Sequence, residues 1–561
     1  MTTYAASMTL PEALASRAPQ AFPTLTHAQI GRICAHGHLR PVTAGEVLVE
    51  PGDADMSLFV VKRGKVQVFR VFGDAESLLI EYGPGQFSGE LVLLSGRPAL
   101  GRIRVAESGE VIEVDRQSLL AFVQTDPELG EIIMRAFILR RMGLIASQTG
   151  DVVALGSNHS ADTLRVKEFL TRNGHPYKYI DLDREADMQD LLDRFHVGVD
   201  DIPVLICRGD VVLRKPTNEQ IADCLGFNNA IDPAEIHDVI VVGAGPAGLA
   251  AAVYAASEGL GVLVLETVAP GGQAGSSSKI ENYLGFPNGI SGLELAGRAY
   301  NQALKFGAQF AIARGAARLT CDRKPFAVDL GDGAATRARA IIIATGAEYR
   351  KLPLENLSRF VGVGVYYSAT FMESQLCRDE EVIIVGGGNS AGQAAVFLAG
   401  GSRHVHLLVR SGGLASSMSQ YLIRRIEESP NITLHTHTEI AALEGTDHLE
   451  RVLWRNNQTG HQEEQAIRHV FLMTGAMPNT GWLAGCLALD NKGFIKTGGD
   501  LSAEDLAAAH WPLTRPPFPL ETSLPGVFAV GDVRCGNVKR VASAVGEGSV
   551  AVSQVHQALR D

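Results

Sequence analysis

Two short stretches of this chain carry glycine at spacings that serve one kind of chemistry. Residues 243–248 read GAGPAG and residues 386–391 read GGGNSA. Each follows an apolar run and opens an alanine-rich stretch of helical character, the strand–turn–helix context that a dinucleotide pyrophosphate requires. Gly243 makes the tight turn, Gly245 lets backbone approach the pyrophosphate, and Gly248 lets helix and strand pack closely. The helix N-terminus then offers NH groups and a positive dipole end to the phosphates. In the second turn Gly386 and Gly388 keep these roles and Ala391 takes the third. The following strands end differently. Glu266 closes one, and a carboxylate there accepts ribose hydroxyls. Arg410 closes the other, and an arginine there suits a 2′-phosphate. The second site is therefore predicted to prefer NADPH over NADH, with Arg424 and Arg425 as weaker sources of the same charge.

The sulfur inventory points away from local dithiol chemistry. Cys34, Cys207, Cys224, Cys321, Cys377, Cys486 and Cys535 are scattered, and no two stand in a C-x-x-C arrangement. The odd count and wide spacing predict reduced thiols, a cytoplasmic protein and no metal cage; a pair made by folding stays open. A formal net charge of −12 argues against a nucleic-acid surface. No apolar run is long enough to span a membrane, and the N-terminal residues have no signal-peptide pattern.

These residues need elements to hold them. Residues 40–125 alternate apolar and polar positions, with Gly45, Gly52 and Gly64 between short runs, and read as a β-roll. Residues 126–148 have helical spacing and close it. Residues 151–226 change to a β-α-β rhythm. Two further strand–turn–helix units begin at about 236 and 353, and the tail from about 479 returns to short strands. The fold class is α/β, with two dinucleotide units behind a β-roll and a small α/β unit. The expected domains are 1–150, 151–228, 236–352, 353–478 and 479–561.

The motifs VVGAGPAGLAAA, Gly271–Gln273, IIIATGA (Ile341–Ala347), GGGNSA and ETSLPGVFAVGDV occur in an order that resembles the thioredoxin reductases, over about residues 236–561. The resemblance implies two Rossmann-like domains, the NADPH domain inserted within the FAD domain, and a homodimer. It implies that Gly243, Gly245, Pro246, Ala247, Gly248, Glu266, Gly272, Gln273, Asn282, Thr345 and Gly346 contact FAD. Gly531 and Asp532 would bind its ribityl-phosphate region, and residues 540–549, including Val541 and Ala542, would close over the ring. Gly386, Gly388, Asn389, Ser390, Ala391 and Arg410 would hold NADPH. The departure is in YYSATFMESQLC, residues 366–377, where the family carries a Cys-Ala-Thr-Cys dithiol. Ser368 and Phe371 occupy its two sulfur positions. Serine has no two-electron disulfide couple, so no catalytic residue is named; Cys377 and Cys535 are weak candidates for a displaced thiol.

The front half shows the same kind of loss. Residues 151–226 resemble the thioredoxin/glutaredoxin fold, with Ile202-Pro203 at its cis-proline. The dithiol junction reads Ser157-Asn158-His159-Ser160. Residues 40–148 resemble a cyclic-nucleotide-binding domain, with Gly89-Glu90-Leu91 opening the phosphate cassette and Glu90 expected on the ribose. The cassette arginine is absent: Ala99 follows Pro98, and Arg97 and Arg102 are the nearest substitutes. No tight cyclic-nucleotide binding is predicted. Together these features imply an NADPH-dependent FAD oxidoreductase without dithiol relay, passing electrons directly to a quinone, dioxygen or a small redox protein. Two other readings are a thioredoxin-disulfide reductase using relocated cysteines and a regulatory flavoprotein sensing redox state or nucleotide.

Overall fold

The structure is a computed structural model; it describes residues 15–561 except 74, 159, 184–200, 229–230, 332 and 484, and the side chain of Met372. His159 therefore lies outside the described residues.

The leading sheet is antiparallel, and the long strands Leu58–Phe72 and Arg102–Val114 pair along most of their length. The first four residues of strand Leu58–Phe72 are all buried, and Phe59 and Val60 join Phe87, Phe122 and Phe137 in a core of fully buried side chains. Helix Arg116–Thr125 is capped by Asp115. Helix Pro127–Ala146 is capped by Asp126 with proline at its first turn, and it closes the roll as its apolar spacing predicts.

Among its described residues the small α/β unit has a sheet of four strands. Val152–Gly156 runs parallel to Lys178–Asp181 and antiparallel to Val204–Cys207, which pairs with Val211–Arg214. The Ile202–Pro203 peptide is cis, at the position the sequence singled out. The degenerate dithiol junction has become a set of local hydrogen bonds. Ser157 Oγ donates to Asp183 at 2.6 Å, Asn158 Nδ2 donates to Asp181 at 2.6 Å, and Ser160 caps helix Ala161–Arg172.

The first dinucleotide unit is built on parallel strands Val262–Glu266, Ile236–Val242, Ala335–Ile343 and Val527–Ala529. The last of these comes from the chain's return, so one sheet is shared by two distant segments. The second unit has five parallel strands, in the order Val365–Tyr366, His469–Leu472, Glu381–Val385, His404–Leu408, Ile432–His435. The central strands carry buried Val and Ile runs, Val239–Val242, Ile341–Ile343 and Val382–Val385, as burial on two faces demands. The chain leaves the first unit through Ala347–Tyr349 and comes back through Ala476–Pro478, and these two strands pair antiparallel.

The front units are pinned to the first dinucleotide unit by side chains. Asn228 and the Ile312 backbone exchange two hydrogen bonds, at 2.9 and 2.6 Å. Arg97 joins three units. From the roll, its Nη1 donates to the Asn173 carbonyl at 3.3 Å and its Nη2 to Tyr300 Oη at 3.2 Å, and its guanidinium lies 4.1 Å from the centre of the Phe227 ring.

Two expectations are corrected here. Cys321 and Cys486 form a disulfide across 165 residues, so the thiols are not all reduced. Spacing along the chain gave no hint of it, because folding brings together the two separate segments of the first dinucleotide unit. The two arginines nearest the cassette, in line with the expected absence of tight cyclic-nucleotide binding, already have partners. Arg97 is spent on the three-unit joint, and Arg102 pairs with Glu50 and Glu76. Glu90, expected on a ribose, instead receives Arg141 at 3.2 Å.

Candidate functional site

A chamber of about 1010 Å³ opens between the two dinucleotide units, at the top of the range for small-molecule and cofactor sites. Its floor is the first glycine turn. Gly243 has φ +102, and a Cβ there would meet the Ala344 carbonyl oxygen at 2.4 Å, so no other residue fits. A Cβ on Gly248 would meet the Gly243 carbonyl at 1.8 Å, which is the close helix–strand packing the motif requires. Gly245 caps helix Pro246–Ser257, whose first turn faces the chamber through Pro246 and Ala247. Glu266 is buried and braces this turn: its Oε2 accepts from the Ala244 NH at 2.8 Å and its Oε1 from the Val268 NH at 2.9 Å.

Gly272, Gln273, Thr345, Gly346, Gly531, Asp532 and Val541 complete that half of the wall. The Gln273 amide donates to the Ala347 carbonyl. The Asp532 carboxyl is pushed above the ordinary range by burial, with Lys539 opposing the shift. Helix Val541–Ala558 aims its N-terminus into the chamber, and Val541 lines it while Ala542 faces solvent. Asn282 is exposed and stands outside the wall.

From the second unit only Ser390 of the predicted turn residues reaches the chamber. Its side chain hydrogen-bonds the Tyr349 hydroxyl, whose pKa burial raises. Gly386, with φ +146, would place a Cβ 2.2 Å from the Met473 carbonyl. Gly388 caps helix Asn389–Ala399, and Ala391 is buried beneath it. Asn389 Oδ1 accepts from the Ser419 NH at 2.7 Å, so that side chain holds the neighbouring loop. Arg410 is exposed at the end of its strand. Arg425 is engaged elsewhere, with Glu281 at 2.6 Å, which bridges the two units.

The Ser368-Ala369-Thr370-Phe371 tetrapeptide lies at the chamber edge. Ser368 and Ala369 line it. Thr370 opens helix Phe371–Leu376, with its backbone NH donating to Glu373 at 2.8 Å. Phe371 is 71% exposed. Glu373 also lines the chamber, and burial raises its pKa. No cysteine lines the chamber. Cys377 is buried behind it against Ser402 at 3.8 Å, and burial pushes its thiol up to about 11. Such a thiol stays protonated and is a poor nucleophile. Cys377 and Cys535 are both free thiols, so the disulfide that folding makes is not the one the sequence raised.

Sequence reasoning missed one wall altogether. Helix Ala161–Arg172 of the front α/β unit contributes Ala161, Asp162, Arg165, Glu168 and Arg172 to the chamber. Ala161 lies so close to Gly362 that a Cβ on that glycine would sit 2.7 Å from the alanine's. Arg172 Nη2 donates to the Gly272 carbonyl at 2.8 Å, and Asn173 Nδ2 to the Val268 carbonyl at 3.0 Å. The helix's apolar stripe announces a buried face, but nothing local names its partner.

Comparison with known proteins agrees with this geometry. The family described as pyridine nucleotide-disulphide oxidoreductase matches residues 237–548, and the cyclic nucleotide-binding domain matches residues 39–126. The chain belongs to the pyridine nucleotide-disulphide oxidoreductases. A thioredoxin reductase of Treponema pallidum is 34% identical over 56% of this chain and 94% of its own. An NADPH-dependent thioredoxin reductase 3 of Arabidopsis thaliana is 31% identical over 63% of this chain and 65% of its own. Among solved structures, the Lactococcus lactis thioredoxin reductase in its FR conformation superposes with TM-score 0.51 at 27% identity. It covers 58% of this chain and 99% of its own. The T. acidophilum enzyme does so with TM-score 0.51 at 28% identity, over 58% and 99%. The cofactors of these oxidoreductases, FAD and NADPH, are those the two glycine turns predict. The residues fit them: the cradle at Gly243 excludes any Cβ, and two helix N-termini supply phosphate donors. Among the described residues no helix is long and apolar enough to cross a membrane, and no cluster of metal-ligating side chains occurs.

Proposed function

We propose that this protein is a thioredoxin reductase-like oxidoreductase that takes hydride from NADPH and passes electrons from FAD directly to an external acceptor, a quinone, dioxygen or a small redox protein. The carrying observation is that a chamber walled by both dinucleotide units contains Ser368 and no cysteine thiol among its described lining residues. FAD, when bound, supplies the ring that accepts the hydride and releases two electrons. The chain's own part is placement. The Gly243 turn and helix Pro246–Ser257 hold a pyrophosphate, Glu266 fixes the turn's shape, and helix Ala161–Arg172 limits the entry of water and of large partners. Gly386, Gly388 and Arg410 would hold the second dinucleotide, with Arg410 on its 2′-phosphate. In this reading the units 1–150, 151–228, 236–352 with 479–561, and 353–478 act as domains, and the protein works as a homodimer.

One observation favours disulfide reduction through relocated cysteines. In the front α/β unit the Cys224 thiol is held below its usual range, chiefly by its neighbour Cys207, with Arg208 adding to the shift against burial. Neither cysteine lines the chamber. The test is steady-state NADPH oxidation with a benzoquinone or with oxidised thioredoxin. Direct transfer predicts turnover with the quinone and none with thioredoxin. Thioredoxin turnover abolished by Cys207→Ser would replace it.

A further inference from the structure

A second cavity lies in the β-roll, far smaller than the chamber, at about 90 Å³. Pockets for drug-sized ligands run to roughly 300–1,000 Å³. Its wall is mostly hydrocarbon, from side chains such as Met56, Val68, Ile80 and Leu100, and it holds one deeply buried cation, Arg140.

Arg140 is 3% exposed, and no carboxylate bonds to it. Its Nε donates to the Ala21 carbonyl at 2.9 Å and its Nη1 to the Gly89 carbonyl at 2.8 Å. Its guanidinium rests against the rings of Tyr82 and Phe87, 5.0 and 4.7 Å from their centres. Nη2 is buried and has no partner. Glu90, on the same wall, gives one oxygen to Arg141, and its Oε2 is also buried and unpartnered. Glu90 acts on the buried Arg97 and Arg140 and bonds only Arg141 of the three. A buried cation that bonds no carboxylate is costly, and aromatic faces return only part of that cost. An anion in the cavity would supply the missing charge.

The wall also says what kind of anion. A cyclic phosphate has no cassette arginine, since Arg97 and Arg102 are committed elsewhere. The space is short for a nucleoside, and the hydrocarbon lining has little to offer a hydrated inorganic ion. We propose that the roll binds a small organic anion, a carboxylate on a compact apolar body, with the carboxylate accepting from Arg140 Nη2.

Isothermal titration of the intact, FAD-loaded protein with benzoate, isobutyrate, inorganic phosphate and cyclic AMP tests this. Benzoate or isobutyrate should bind saturably at one site per chain, while phosphate and cyclic AMP should not. Arg140→Met should weaken that binding at least tenfold. Leu100→Trp, which fills the cavity and keeps Arg140, should abolish it, and decides the matter if the arginine variant does not fold, as read from flavin absorbance and melting. Saturable binding of cyclic AMP or phosphate at this site, no binding of either carboxylate, or carboxylate binding untouched by Leu100→Trp would each overturn the proposal.

Discussion

Ser368 and Arg410 carry the two sharpest claims about single side chains. Ser368 stands on the chamber wall where the resemblance places a sulfur, yet a hydroxyl cannot store electrons. Ser368→Ala should therefore leave NADPH-driven flavin reduction and quinone turnover within about twofold of the parent, in stopped-flow and steady-state assays. A tenfold loss would show that the hydroxyl has a role this account denies it. Arg410 is exposed at a strand end, with its guanidinium available to a phosphate. Arg410→Ala should weaken NADPH binding by about 1.5–3 kcal/mol, the range for a hydrogen bond to a charged group, which is a rise in KM of roughly 10- to 150-fold, and leave the KM for NADH nearly unchanged. Equal losses with both cofactors would make Arg410 structural. These residues were readable because type and spacing carry their meaning. Asn282 was not, since the same resemblance that named it could not say that it faces solvent here.

Elements were legible where period and punctuation agree. The glycine turns, the Val- and Ile-rich parallel strands and helix Pro127–Ala146 all lie where their patterns put them. What a pattern cannot give is the partner of a face. Helix Ala161–Arg172 is the helix of the β-α-β rhythm over 151–226, but its place as a wall of the chamber is not legible, because its contacts, Gly272 and Gly362, come from far along the chain. The Cys321–Cys486 bond was hidden for the same reason. The same α/β unit holds a buried titrating pair. His175 Nε2 lies 3.0 Å from Asp151, and burial lowers the imidazole's pKa below 6.5, against the pull of Asp151. The unfolded chain then binds more protons than the folded one below pH 6.5. The contribution is present above that pH and is lost as pH falls, by up to about 1.4 kcal/mol per pH unit. Hydrogen exchange of strand Val152–Gly156 should show weaker protection at pH 5.5 than at 7.5, and His175→Gln should flatten the difference. An unchanged difference in that variant would assign the pH response to another group.

At the scale of the whole molecule, the front units are part of the enzyme rather than appendages beside it. Arg97 is 5% exposed and bonds to two other units, with a ring beneath it. Arg97→Ala would leave the Asn173 carbonyl and Tyr300 hydroxyl short of a donor, at about 1–3 kcal/mol for each group left unsatisfied. Limited proteolysis should then separate the roll from the remainder faster than in the parent; an unchanged cleavage rate would mean that Asn228 and Arg172 suffice. The central claim also concerns the whole molecule, because it counts the electrons the folded chain can hold. A flavin alone stores one hydride equivalent, and a flavin in exchange with a disulfide stores two. The Cys321–Cys486 bond is outside the chamber wall and should not exchange. Anaerobic titration with NADPH, followed by a thiol count in denaturant, should bleach the flavin with about one equivalent per FAD and reveal no new thiols. Uptake of about two equivalents with two new thiols would contradict direct transfer.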